Sequence, residues 1–450
     1  MNTKHLFVGL ALLLMKPALA QQQPEAKELN LQQAVTYALE HNEDVQKASY
    51  DELSAQYVIK EAKSNGLPQV NAFGKVDAYP ALPTQILPGE IIGKPGTTVP
   101  VQFGTKYNAQ GGVQFSQLLF SKSYFVGLQA AKTTEDLFRL RKQMTEEDVI
   151  YNVGAAYFQI LQTQEQFNTI EANLNRLTQL EKLLQLQYKN DLVKKVDVNR
   201  ITVNRSNLET QKQTLTSALE QQVNVLKFFM GMPLEENITL ANSAILLDTQ
   251  EPQHIDVKQV AEQQTQYKLL RTQQELNDLQ VKNIRAGYYP SLNLTGSYLY
   301  QAQRQELNFF DTNLPWFNTG VVGLQLNIPI FDGFKKNAQV QQAQIEAKKL
   351  EEDTKKLNKN TMVQLTNSIN QLNNSTEAIK AQERNVTLAQ EVYNTTNELY
   401  KEGISPLTDL LEAEVTLREA NTNLNNEQLK YQLAQLGYLK AKGELKTLVK

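Results

Sequence analysis

The sequence is written twice. Residues 187–203 read QYKNDLVKKVDVNRITV and residues 399–415 read LYKEGISPLTDLLEAEV, so that Tyr188 falls on Tyr400 and Asp197 on Asp409 at one constant offset. Upstream, Pro68 matches Pro290, and Phe120 in NAQGGVQFSQLLFSKS (108–123) matches Phe331 in GVVGLQLNIPIFDGFK (320–335). A self-similarity of this kind requires one structural unit used twice. The unit reads helix, strand, loop, strand, long helix, bend, helix. The first helices are expected over 29–65 and 255–287, each stopped by Gly and Pro before alternating sequence begins. The long helical runs cover roughly 120–187 and 332–401, and the returning helices 197–230 and 406–442, with tips near 188–197 and 401–406. The first repeat is thus 21–230 and the second 255–450, with Gly231, Pro233 and Pro252 punctuating the link at 231–254.

The first twenty residues have the pattern of a secretory signal: Lys4, an apolar run from Leu6 to Met15, and Ala18-Leu19-Ala20 before Gln21. No later apolar stretch approaches the roughly 20 residues of a membrane helix. The chain has no cysteine, which excludes disulfides and a lipid on an N-terminal Cys. Its net charge of −3 predicts no general attraction for nucleic acid. No catalytic set, phosphate-binding Gly loop, cofactor motif or metal-ligand spacing is present, and His5, His41 and His254 are isolated. The expectation is an exported, unlipidated protein that is not an enzyme.

Four segments alternate with period two and are expected as strands over about 69–79, 107–116, 291–301 and 319–328. In the first, Val70, Ala72, Gly74, Val76 and Ala78 oppose Asn71, Lys75 and Asp77. In the second, Tyr107, Ala109, Val113 and Phe115 oppose Asn108, Gln110 and Gln114. Leu292, Leu294, Tyr298 and Tyr300 oppose Asn293, Thr295 and Ser297; Val322, Leu324, Leu326 and Ile328 oppose Gln325 and Asn327. Any one of these suits a sheet packed on a helix, but four segments of about ten residues in an exported chain match tilted bilayer-crossing strands. Four strands cannot close a barrel and an open edge is not tolerated in lipid, so several copies must contribute to one barrel. Two copies would give a filled eight-stranded barrel; three would give a twelve-stranded barrel able to enclose a channel, and three is the expectation. The loop 80–106 is long and proline-rich, while 302–318 carries Phe309, Phe310, Trp316 and Phe317, either as an interface girdle or as a loop packing on itself.

Along the long runs the apolar positions are sparse and seven apart: Leu365, Leu372, Ile379 and Val386, with Leu410, Leu417, Leu424 and Tyr431 on the return. Ile201, Leu208 and Leu215 repeat the pattern in the first copy. This spacing produces coiled-coil packing between neighbours. The thin stripe suits either the wall of a hollow cylinder or an antiparallel coiled coil exposed all round, and the strands favour the cylinder.

This ordered set resembles the TolC family of outer-membrane efflux proteins over essentially the whole chain after the signal. The resemblance implies a mainly α chain with transmembrane β: a homotrimer whose four strands per protomer build a twelve-stranded barrel in outer-membrane lipid, continued by an α-helical coiled-coil barrel in the periplasm. It further implies an exit duct of a tripartite efflux or secretion system, fed passively by a periplasmic adaptor protein and an inner-membrane transporter. The alternative is a non-conducting coiled-coil scaffold of the cell envelope. Ser405-Pro406 at the second bend departs from the plainer Gly-containing turn of the family.

The bends are expected as hairpin tips, with Gly403 supplying a permissive conformation and Pro406 the first turn of the returning helix. By resemblance, Leu192, Val193, Gly403 and Ile404 would meet the adaptor as well as turn the chain. Asp197, Asp409 and Glu412 lie within two turns of the tips, where the helix dipole alone favours acids. Under threefold symmetry Asp409 and Glu412 would form carboxylate rings that select cations. The resemblance places these acids, with Tyr400, at the pore constriction.

Overall fold

A computed structural model describes residues 27–241 and 257–449. The expected signal at 1–20, His5, His254 and the part of the inter-repeat link from 242 to 254 lie outside the described residues. The elements, in order, are β1 (Lys27–Leu29), α1 (Leu31–His41), α2 (Glu43–Ser64), β2 (Gln69–Ala78), β3 (Thr84–Pro88), β4 (Thr98–Gln102), β5 (Tyr107–Ser121), α3 (Lys122–Lys189) and α4 (Lys195–Met230). They continue with β6 (Ile238–Leu240), α5 (Val257–Gln263), α6 (Thr265–Ala286), β7 (Ser291–Arg304), β8 (Phe317–Asn327), α7 (Lys335–Lys401) and α8 (Leu407–Lys442). Among the described residues no helix is long and apolar enough to cross a membrane.

Strands β2, β5, β7 and β8 form one antiparallel sheet in that order, which leaves β2 and β8 as its two edges. Register shows why the alternation mattered. Ala72 pairs with Val113, Val113 with Tyr298, Leu294 with Leu324 and Leu292 with Leu326, so one face is mainly apolar, interrupted by Gln117 opposite Leu294 and Asn318 opposite Tyr300. Asn71 pairs with Gln114, Gln114 with Ser297 and Asn293 with Gln325 on the other. The apolar face is uncovered: Val70, Val76, Val113, Tyr298, Tyr300, Val322, Leu324 and Leu326 are all exposed in the protomer. From the level of Leu292 to that of Tyr300 is about 26 Å along the strand, close to the height of a bilayer-facing band.

β5 outruns the sequence expectation at its helix-facing end, and β7 and β8 extend it by a few residues at the ends that border the loop between them. β5 continues to Ser121 because its register shifts between Leu118 and Phe120. This bulge carries Phe120, otherwise on the polar side, to a position opposite Leu292. The loop 80–106 is partly ordered as well. β3 and β4 pair as an isolated hairpin, and Pro88 and Pro100 are accommodated because a two-stranded ribbon has only edges. In the shorter loop, Phe309 and Trp316 pack against each other with centroids 6.3 Å apart, whereas Phe310 is fully exposed.

Both leading helices are divided rather than continuous. Asn42 separates α1 from α2 because its extended backbone and side chain cap the second helix, accepting from Asp44 and Val45. Gln264 separates α5 from α6. Its amide donates to the Ala441 carbonyl and accepts from Thr361 Oγ1 at 2.9 Å, clipping the break to α7 and α8. The long helices α3 and α7 have 68 and 67 residues, so each spans on the order of 100 Å. α3 packs on α4 and α7 on α8, and α3 also contacts α8, joining the two hairpins of one protomer.

The thickest core lies midway along the helices, where α1, α3, α4 and α8 meet beside the parallel pair β1–β6. Tyr157 on α3 anchors that pair through its hydroxyl, 2.6 Å from the Ala241 carbonyl and 3.2 Å from that of Leu29. Leu436 on α8 has no exposed surface and fits over Gly154 of α3, where a Cβ would lie 3.1 Å from its methyl. Leu436→Ala removes this knob and is expected to cost about 2–5 kcal/mol, read as a lowered unfolding midpoint in detergent. An unchanged midpoint would mean that this core does not hold the helices together.

Candidate channel entrance at the hairpin tips

Both bends end their long helix in the same hydrogen-bonding motif. In the first, Asp191 N–H donates to the Tyr188 carbonyl at 3.0 Å and Leu192 N–H to that of Gln187 at 2.9 Å. In the second, Gly403 N–H donates to Tyr400 at 3.0 Å and Ile404 N–H to Leu399 at 2.9 Å. These are Schellman-type ends, whose central residue takes a left-handed backbone: φ is 57° at Asp191 and 72° at Gly403. The apolar residue that follows in such a motif usually packs back onto its own helix. Here Leu192 and Ile404 stand 73 % and 72 % exposed, at equivalent places on the two tips. Val193, expected beside them as an exposed contact, is half-buried. It turns inward and packs against a cluster of leucines.

That cluster binds the two hairpins together at their ends. Leu177 and Leu184 of α3, Ile201 and Leu208 of α4, and Leu407 and Leu410 of α8 are buried in it, with Tyr400 of α7 packed against them. Tyr400 is therefore half in the seam. Burial, and secondarily the charge of Asp197, pushes its phenol above the ordinary value. Asp197 has a cation of its own: Arg200 lies 3.8 Å away, one turn along α4. The structure thus brings Asp197 and Tyr400 from different hairpins into one neighbourhood.

Asp409 and Glu412 stay apart from this seam and are exposed. Asp409 sits in the first turn of α8 and accepts from Ser405 Oγ at 3.1 Å and Thr408 Oγ1 at 3.2 Å. The Ser405 hydroxyl thus ties the second tip to the start of its returning helix. His41 stacks on Tyr37 at 4.0 Å and forms part of α1. Among the described residues no group of His, Asp and Glu could hold a metal ion.

Further charged groups lie inside the hairpin seams. Glu181 on α3 accepts from Thr202 Oγ1 at 2.7 Å and forms an ion pair with Arg205 at 2.9 Å, whose N–H is not aligned for a hydrogen bond. Arg176 on α3 hydrogen-bonds Asn173 and lies 5.3 Å above the Tyr393 ring of α7. Glu414 on α8 is 93 % buried, and one carboxylate oxygen has no hydrogen-bond partner. The heptad Leu407, Glu414, Asn421 carried the signal for Glu414, a carboxylate in a register begun by a buried leucine.

Residues 259–444 match the family described as outer membrane efflux protein. The chain is 23 % identical to outer membrane protein TolC of Escherichia coli (strain K12) over 441 residues, covering 92 % of this chain and 82 % of that one. In fold it is similar to the outer membrane protein VceC from Vibrio cholerae, with a TM-score of 0.70 at 16 % identity, covering 92 % of this chain and 96 % of that one. The open state of the Neisseria gonorrhoeae MtrE outer membrane channel has a TM-score of 0.71 at 17 % identity, with 93 % and 90 % covered. The chain resembles the TolC-like outer-membrane efflux proteins in sequence and in fold. The likeness places the protein at the outer membrane. The TolC-like fold also accounts for the two equivalent tips, because the duplicated hairpin is written into one chain.

The seam makes a titration measurable. Because Tyr400 is raised in the packed state, its contribution to packing is present below the ordinary tyrosine value of about 10 and is lost as pH rises through the raised one. Ultraviolet difference titration of the wild type against Tyr400→Phe should place this phenol's midpoint above the ordinary value. Asp197→Asn should lower that midpoint only part-way, since burial is the larger cause. A midpoint at or below the ordinary value would place the phenol in water.

Proposed function

We propose that three copies of this chain close a twelve-stranded barrel in the outer membrane and continue inward as a hollow helical barrel, forming the exit duct of a tripartite efflux or secretion system. The two repeats, 21–230 and 255–450, each supply two strands and one helical hairpin to this tube. The observation that carries the proposal is the four-stranded sheet with an uncovered apolar face and two open edges. Lipid satisfies that face, and only further strands satisfy those edges. Conduction is passive, and the energy comes from an inner-membrane transporter. Leu192 and Ile404, with Gly403 shaping the second tip and Val193 bracing the first from inside, present the surface that a periplasmic adaptor protein meets. Asp197, Tyr400, Asp409 and Glu412 then ring the periplasmic mouth, where exposed carboxylates of one sign raise the local cation concentration.

Single-channel recording in planar bilayers tests this. The purified protein should conduct, and Asp409→Ala with Glu412→Ala should lower its cation selectivity and weaken its block by divalent cations. Current ratios unchanged in the double variant would turn these acids away from the lumen. No current from any preparation would favour a non-conducting envelope scaffold.

A further inference from the structure

Glu414 is out of place by the logic of its own helix. Leu407 and Leu410 before it, and Leu417 and Ala420 after it, are buried against the facing helices. Glu414 falls on the same stripe and is buried with them, one heptad after Leu407. A charge in such a position normally has a close partner, as Glu181 does in the first hairpin. Glu414 Oε1 has none. The charges facing it are Arg176 from α3 and Arg418 one turn further along α8. Arg176 is already engaged by Asn173 and by the Tyr393 ring of α7. No carboxylate-to-guanidinium contact at ion-pair distance joins Glu414 to either among the described residues.

We infer that Glu414 is a proton-operated latch between the two hairpins of a protomer: protonated, it lets α8 seat against α3 and α7, and ionised, it favours their separation near the entrance. The inference rests on reading the tips as that entrance, and it adds a control that the proposed duct does not itself require. Burial raises the Glu414 carboxyl to about 7 against the weaker opposing pull of Arg176 and Arg418, which places its titration within the range of ordinary environments. The direction is fixed by linkage. In the separated state the carboxyl would titrate near its ordinary value of about 4.3, so packing is strongest below that pH. Between that pH and about 7 the separated form has lost its proton while the packed form keeps it. The packed-to-separated ratio then falls by about tenfold per pH unit at the limit of one proton. Above the raised value both forms are ionised and the ratio levels off.

The absence of native cysteine makes the test direct. Spin labels on Leu192→Cys and Ile404→Cys, both on exposed tip residues, report the tip-to-tip distance distribution in the detergent-solubilised protein by pulsed electron resonance. At pH 5 the distribution should be narrow, and at pH 8 a longer-distance population should grow. Glu414→Gln, which keeps the shape and removes the charge, should stay narrow at both pH values. Glu414→Leu, which continues the register of Leu407, should do the same. Identical wild-type distributions at pH 5 and pH 8, or variants that respond as the wild type does, would overturn the latch. This readout needs no current, so a failure to conduct would count against the duct alone and a pH-blind tip against the latch alone.

Discussion

The backbone hydrogen bonds along the outer edges of β2 and β8 govern what this chain can be. The inner strands β5 and β7 pair on both sides along most of their length, but each edge strand presents a row of N–H and C=O groups with no strand partner in the protomer. In water such an edge is tolerable. In hydrocarbon, the solvent the proposed barrel gives this exposed apolar face, each unsatisfied group costs several kcal/mol. Under that proposal, the sheet of a neighbouring copy supplies the partners these edges lack.

What continues from the sheet follows from the same incompleteness. The long helices carry stripes of leucine too thin to make a thick core, and they are polar elsewhere, as a wall wet on two sides must be. Binding between hairpins is concentrated in two places: the midway core around Tyr157 and Leu436, and the tip cluster around Leu184 and Ile201. Around the tip cluster the seams also hold charged groups, with Glu181 and Arg205 among its leucines and Glu414 just beyond Leu410. A wall held firmly in the middle and more lightly at its end is able to move at that end without unfolding.

Much of this was legible before any coordinates. The period-two alternation set the strand faces, and the register pairs apolar with apolar residues at most levels of the sheet, although Leu294 meets Gln117 and Tyr300 meets Asn318. The duplication located both bends, and Gly403 announced the left-handed residue its turn requires. Other features depended on contacts no local pattern encodes. The bulge that re-aims Phe120 arises from pairing with β7. The helix break at Gln264 is imposed by Ala441 and Thr361, far away in the chain. Asp191 takes a left-handed backbone without being glycine, so the first tip looked blunter in sequence than its twin. Val193 pointed inward because the second hairpin supplies leucines that a linear reading cannot place beside it. Glu414 was visible in the heptad of Leu407, but the sequence alone did not single it out.

The mass of the assembly in a detergent micelle addresses the central claim most directly, because it counts how many sheets complete one barrel. Native mass spectrometry of the solubilised protein should return three copies of the chain that remain together until the detergent belt is stripped. A single copy, stable in water without detergent, would contradict the account, since one protomer would then have satisfied its own edges and covered its own apolar face.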